Sequence, residues 1–237
     1  MVFNKKRFLL LAMAAAATIS GCGKQMITSK IEKGIAQRLP EIIGPAKSYR
    51  VEVSGHTTSM IKGEMREIRI YGEDVAITPV LTVDKLFAKL ENVDFDKRSQ
   101  IIKSCSGSTF EATVSEAKLN SYLHTVRPDI EDLRVNLRKD KMLVHLRPKV
   151  LGLSFGTDVE GGLSVVEPAK VYYKVDRLAL AGLKMPGILA DYVEEKMNPI
   201  QDLSATNLKV RLSSADLQPG VLELKGSADL GSGLSAR

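Results

Sequence analysis

The chain has 237 residues, 44% of them apolar and 26% charged, which are ordinary values for a globular protein and exclude a disordered or fibrous one. Its 34 basic and 28 acidic residues give a net charge of +6, but Lys5, Lys6 and Arg7 stand in an N-terminal segment without acids, so the remainder carries only +3. That excess is too small and too scattered for a nucleic-acid binder.

Residues 1–21 have the three parts of a secretory signal: the basic cluster Lys5–Arg7, an uncharged apolar run from Phe8 to Ala17, and small residues at Ser20 and Gly21. The run falls short of the roughly 20 residues needed to span a bilayer. Ile19-Ser20-Gly21-Cys22 resembles the lipobox of bacterial lipoproteins. The resemblance implies a diacylglyceryl thioether on Cys22, cleavage before it, and an acylated, for example palmitoylated, amine. One acyl chain holds a protein weakly to a membrane, while two or more hold it stably. The expected location is the cell envelope: the periplasmic face of the outer membrane in a diderm cell, otherwise the outer leaflet of the cell membrane. Cleavage leaves 216 residues and one further cysteine, Cys105, so no intrachain disulfide is expected. Cys105 reads as a small packing residue.

Downstream, Ile27, Ile31, Ile35 and Leu39 recur every four positions, predicting a helix over 25–39 closed by Pro40; the same stretch suits a spacer from the membrane. Tyr49, Val51 and Val53 alternate with polar residues, as do Ile68 and Ile70, and each set predicts a strand. A helix is expected from an N-cap at Ser115 to Val126, with Leu119, Tyr122, Leu123 and Val126 on one face and Pro128 ending it. Leu133–Leu137 and Met142–Leu146 flank Lys139-Asp140-Lys141 as a hairpin, and Val171, Tyr173 and Val175 mark another strand. A second amphipathic helix is expected from Pro186 to Met197, with Leu189, Tyr192, Val193 and Met197 as its stripe. A last hairpin turns at Pro219-Gly220.

Strands outnumber helices and short turns join them, so the fold class is α+β with a mostly antiparallel sheet. The expected organisation is a signal peptide at 1–21, a lipid-anchored N-terminus with the first helix at 22–45, one domain at 46–228, and a disordered tail at 229–237.

Gly152-Leu153-Ser154-Phe155-Gly156 matches the nucleophile-elbow pattern G-x-S-x-G. That chemistry needs a helix after the serine and a histidine later in the chain. Here no helical period follows Ser154, and His56, His124 and His145 all precede it. A Gly-kinked strand fits better, and neither an enzyme nor a cofactor is expected. No histidine has zinc-site spacing with a second ligand. The basic residues Arg134, Arg138, Lys139, Lys141, Arg147 and Lys149 bracket one hairpin as a solvated face, or as a surface for phosphate headgroups.

From Tyr49 to Gly226 the chain resembles the LmeA-like family of exported phospholipid-binding proteins. Phe110–Leu123 (FEATVSEAKLNSYL) and Met185–Leu203 (MPGILADYVEEKMNPIQDL) carry the resemblance, together with the order of hairpins and helices. It implies a tubular lipid-binding-like fold, in which a curved antiparallel sheet packs on two or three amphipathic helices around a groove for acyl chains. The implied partner is a phospholipid or other acyl lipid. The helix residues Leu119, Tyr122, Leu123, Leu189, Tyr192, Val193 and Met197 are the candidates to line that groove. Alternatives are a structural or assembly lipoprotein that binds a protein partner, and an esterase using Ser154.

Overall fold

The computed structural model describes residues 25–229 except 97, 99, 100, 148, 151, 152, 155, 181, 182, 185, 186, 205 and 207, with the side chains of 101, 149, 150, 153, 154, 167, 177–180, 183, 184 and 187–189 also outside the description. The expected signal segment, Cys22, Pro186 and residues 230–237 therefore lie outside it.

Helix α1 spans residues 25–42. Of its apolar stripe Ile31, Ile35 and Leu39 are buried, Ile35 at 3% and Leu39 at 2% exposure, and Ile27 is half-buried. Pro40 does not end it. A proline removes its own N–H bond and crowds the carbonyl four residues back, yet the next bonds carry the helix on, with the Ile43 N–H donating to the Leu39 carbonyl at 2.8 Å.

There follow β1 (Ser48–Ser54), the short helix α2 (Thr57–Lys62), β2 (Glu64–Ala76), β3 (Thr82–Asp96), β4 (Ile101–Ser104) and β5 (Gly107–Ser115). Next come α3 (Glu116–Val126), β6 (Glu131–Arg138), β7 (Lys141–Arg147), β8 (Lys149–Val150) and β9 (Leu153–Ser154). The chain continues through β10 (Thr157–Glu167), β11 (Lys170–Leu180), β12 (Leu183–Lys184), α4 (Gly187–Met197), β13 (Gln201–Asp202), β14 (Lys209–Gln218) and β15 (Val221–Asp229).

All pairings among the described residues are antiparallel. One sheet runs β1-β2-β3-β5-β15-β14 with β4 beside β3, the other runs β12-β11-β10-β7-β6 with β13 beside β11, and β8 pairs with β9. The fold is α+β, and its antiparallel sheets include a strongly curled half-barrel. Part of the bending is local. Along β2 the inward residues are Met65, Ile68, Ile70, Gly72 and Val75, so the two-residue period slips twice. Val83, Leu86, Ala88, Leu90, Val93 and Phe95 of β3 slip in the same way. Asp74 (φ 50°) and Asn92 (φ 48°) sit at these slips in left-handed backbone, which Asn and Asp tolerate better than most side chains.

The expected hairpins form. Val135 faces Val144 and Leu137 faces Met142 across β6–β7, and Gln218 faces Val221 across the Pro219-Gly220 turn. Those two turns meet and join the sheets: the Asp140 N–H donates to the Leu217 carbonyl at 3.1 Å, and the Gly220 N–H to the Leu137 carbonyl at 3.0 Å. One hydrophobic cluster runs through both sheets, from Ile68 and Leu90 to Val144, Val159 and Val171, and takes in Leu119 and Val193 of the helices.

Ser115 stands at the N-cap of α3, but its hydroxyl makes no capping bond. The first helical N–H, that of Glu116, is instead taken by the Gly220 carbonyl at 2.9 Å, and the Ser115 N–H donates to Asp84 Oδ2 at 2.6 Å.

Candidate functional site

A hollow of about 270 Å³ opens on the inner face of the larger sheet. Its wall is built by register. Leu86 of β3 faces Ala112 of β5, which faces Leu224 of β15. One step along, Ala88 faces Phe110, which faces Gly226. Alternation puts these side chains on one face of their strands, and the volume comes from small residues among large ones: Ala88, Ala112 and Ala228 line it beside Leu86, Phe110 and Leu224. Gly226 must stay small for another reason, since a Cβ there would stand 2.2 Å from the Arg211 carbonyl oxygen.

Three further segments close the hollow: Ile42 and Ile43 from the end of α1, Ile77 to Leu81 from the β2–β3 turn, and Leu203, Thr206 and Leu208 from the approach to β14. The end of α1 is pinned there. Gly44 has φ +145°, and a Cβ on it would lie 1.9 Å from the Ala76 carbonyl oxygen. The Tyr49 hydroxyl donates to the Gly44 carbonyl at 2.7 Å, and burial pushes its pKa up to about 12.

Among the described residues the lining holds no charged side chain. Two of its three hydroxyls are turned to their own backbone. Thr206 Oγ1 donates to carbonyls of Leu203 and Leu208 at 2.7 and 2.9 Å, and Thr78 Oγ1 accepts from the Leu81 N–H at 3.0 Å. Apart from the Ser108 hydroxyl, what faces the hollow is hydrocarbon. Enclosed apolar cavities of roughly 150 Å³ stay dry and take apolar guests, and ligand pockets start near 300 Å³. A space of this size and chemistry suits an acyl segment.

The helix residues named from sequence lie elsewhere. Leu119 and Leu123 are each 1% exposed, Tyr122 is buried, and Val193 and Met197 are fully buried in the shared cluster; Tyr192 is half-buried against it. The side chain of Leu189 lies outside the described residues. None of the six described side chains is among the walls of the hollow. Sequence reading passed over the walls, although Leu86-Phe-Ala-Lys-Leu90 and Phe110-Glu-Ala-Thr-Val114 both alternate with an alanine on the apolar face.

The remaining motifs sort as follows. Ser154 lies in a two-residue strand opposite Lys149, and after Gly156 the chain enters β10 instead of the helix a nucleophile elbow requires. His145 Nδ1 lies 2.7 Å from Asp158 Oδ1, while His124 rides on α3. No group of three metal-ligating side chains forms among the described residues. Cys105 is half-buried and packs against the core; burial raises its thiol pKa, and Asp229 adds to the effect, so the thiol is a poor nucleophile. Within the basic hairpin, Arg147 pairs with Asp132 at 3.1 Å and Lys141 pairs with Asp176.

A family model described as LmeA-like phospholipid-binding matches residues 21–227, so the match takes in α1 and every wall of the hollow except Ala228. No curated protein and no solved structure matches the chain.

Proposed function

The chain belongs to the LmeA-like phospholipid-binding family, and on that premise we propose that it is an envelope lipoprotein, tethered through Cys22, that holds phospholipid acyl chains in the hollow of its larger sheet. One observation carries the reading: Leu86, Ala88, Phe110, Ala112 and Leu224 form an uncharged apolar wall around unfilled space. Binding rests on reversible burial of CH₂ groups, each worth about 0.8 kcal/mol, and needs no covalent step. The role is lipid transfer or envelope maintenance, exercised within reach of the tether. The family is one of phospholipid binding and not of enzymes.

The test is to purify the full chain from cell membranes, extract it, and measure bound phospholipid by mass spectrometry, alongside an Ala88→Leu variant. The expected result is stoichiometric phospholipid in the parent and clear loss in the variant, which fills the hollow. Lipid-free parent protein with ordinary thermal stability would overturn the reading and leave a protein-binding role. The tether has a separate test: with Cys22→Ser the protein should leave the membrane fraction.

A further inference from the structure

A second groove, sharing no lining residue with the apolar hollow, lies between α3 and the β6–β7 hairpin. Val135 and Leu143 contribute its apolar lining; Glu116, Asn120, His124, Arg134, Asn136 and His145 are its polar residues. Arg134 and His145 are cross-strand partners, so they stand side by side on one face of the hairpin.

Most of the polar lining is already engaged. The Asn120 amide donates to the Glu116 and Val135 carbonyls, both at 2.9 Å, and accepts from the Val135 N–H at 2.8 Å. Glu116 Oε2 accepts from the Leu137 N–H at 2.7 Å and from Asn136 Nδ2 at 3.2 Å. The Asn136 oxygen accepts from Arg138 Nε at 3.2 Å. Asp158 takes the Nδ1 side of His145 and leaves Nε2 open. Among the described residues Arg134 has neither an ion pair nor a hydrogen bond, and the His124 ring has no partner. What the groove has left over is one guanidinium and two imidazoles.

We propose that this groove is an anion site for a singly charged phosphate group, with the Arg134 fork as the charge that holds it and His124 and His145 as flanking hydrogen-bonding groups. A guanidinium matches phosphate oxygens in bidentate geometry. Two carboxylates stand by, Glu116 and Asp158, and both are occupied; their field disfavours a dianion. Two sources carry such a group, a lipid headgroup and a free phosphate ion, and the test separates them. The proposal does not rest on the acyl-chain reading, because phosphate can bind here whether or not the hollow holds lipid.

The test titrates the detergent-solubilised full chain by calorimetry at low salt and pH 6, once with inorganic phosphate and once with a glycerophosphodiester. Saturable binding of either probe is expected, weakened about tenfold or more in Arg134→Gln. Tighter binding of the diester identifies a headgroup, and tighter binding of inorganic phosphate a free ion. If Arg134→Gln fails to fold by thermal melting, Arg134→Lys replaces it, keeping the charge but losing the fork, and should weaken binding by a smaller factor. Failure of both probes to saturate at millimolar concentration, or wild-type binding by a folded Arg134 variant, would overturn the site.

Discussion

Asn198 holds the backbone of Tyr173 with both ends of its side-chain amide: Oδ1 accepts from the Tyr173 N–H at 2.6 Å, and Nδ2 donates to the Tyr173 carbonyl at 2.9 Å. Just past α4, this residue substitutes for a neighbouring strand and fastens the helix end to β11. Asn198→Ala removes both bonds, each worth about 1 kcal/mol. A loss of about 2 kcal/mol is expected, read as a fall of roughly 4–8 °C in the unfolding midpoint. An unchanged midpoint would mean that water replaces the amide without cost.

Across the same strand, Gly161 leaves room for the Tyr173 ring. A Cβ on Gly161 would stand 2.1 Å from the Lys174 carbonyl oxygen and 2.7 Å from the ring. The ring is held, because its hydroxyl donates to the Val159 carbonyl at 2.8 Å. Gly161→Ala should therefore cost about 3 kcal/mol in urea unfolding, while Gly162→Ala, where a Cβ meets nothing within 4 Å, should be nearly neutral.

Arg127 links the ends of α3 and α4. Its Nε donates to the Lys196 carbonyl and its Nη2 to the Pro199 carbonyl, both at 2.9 Å. A cation at helix C-terminal carbonyls also offsets their partial negative charge. Arg127→Ala should cost about 2 kcal/mol, and amide exchange should quicken at the end of α4. Arg127→Lys should recover only part of this, since an ammonium cannot reach both carbonyls in the same fork.

Burial alone would raise the Asp84 carboxyl, but the Ser115 N–H and Lys118 outweigh it and hold the pKa below the ordinary 3.8. Because the folded value is the lower one, Asp84 contributes stability that is complete above the unfolded pKa and is lost as pH falls through the folded value. The urea midpoints of wild type and Asp84→Asn should thus differ at pH 6 and converge as pH drops below about 4. A difference constant from pH 6 to pH 3 would remove the carboxylate from the account.

Much of this architecture was readable in the chain, and the exceptions have physical causes. The alternation of Leu133–Leu137 and Met142–Leu146 marked the β6–β7 hairpin in the sequence, while its register, with Val135 opposite Val144 and Arg138 opposite Lys141, belongs to the fold. On β2 and β3 the left-handed Asp74 and Asn92 shift the phase, and period-two counting loses the strand at those slips. The helix stripe at Leu119 and Leu123 was correctly read as buried, but burial has two kinds of destination. Leu86 against the hollow and Leu119 in the packed interior carry the same apolar signature, and only the register of Leu86, Ala112 and Leu224 shows which one borders empty space. Arg134 was visible as one charge in a basic run. That Arg138, Lys141 and Arg147 have partners while it has none among the described residues is a property of the folded surface.

Two open strand edges are met by helix side chains. At β6, Asn120 and Glu116 occupy the outward N–H groups of Val135 and Leu137; at β1, Glu32 Oε1 accepts from the Val53 N–H at 3.0 Å. Another copy of the chain arriving at either rim finds these donors taken, so strand-by-strand zippering into fibres is blocked at those positions. A molecule with so much sheet is by this means guarded against polymerising through two of its borders, the rims of β6 and β1.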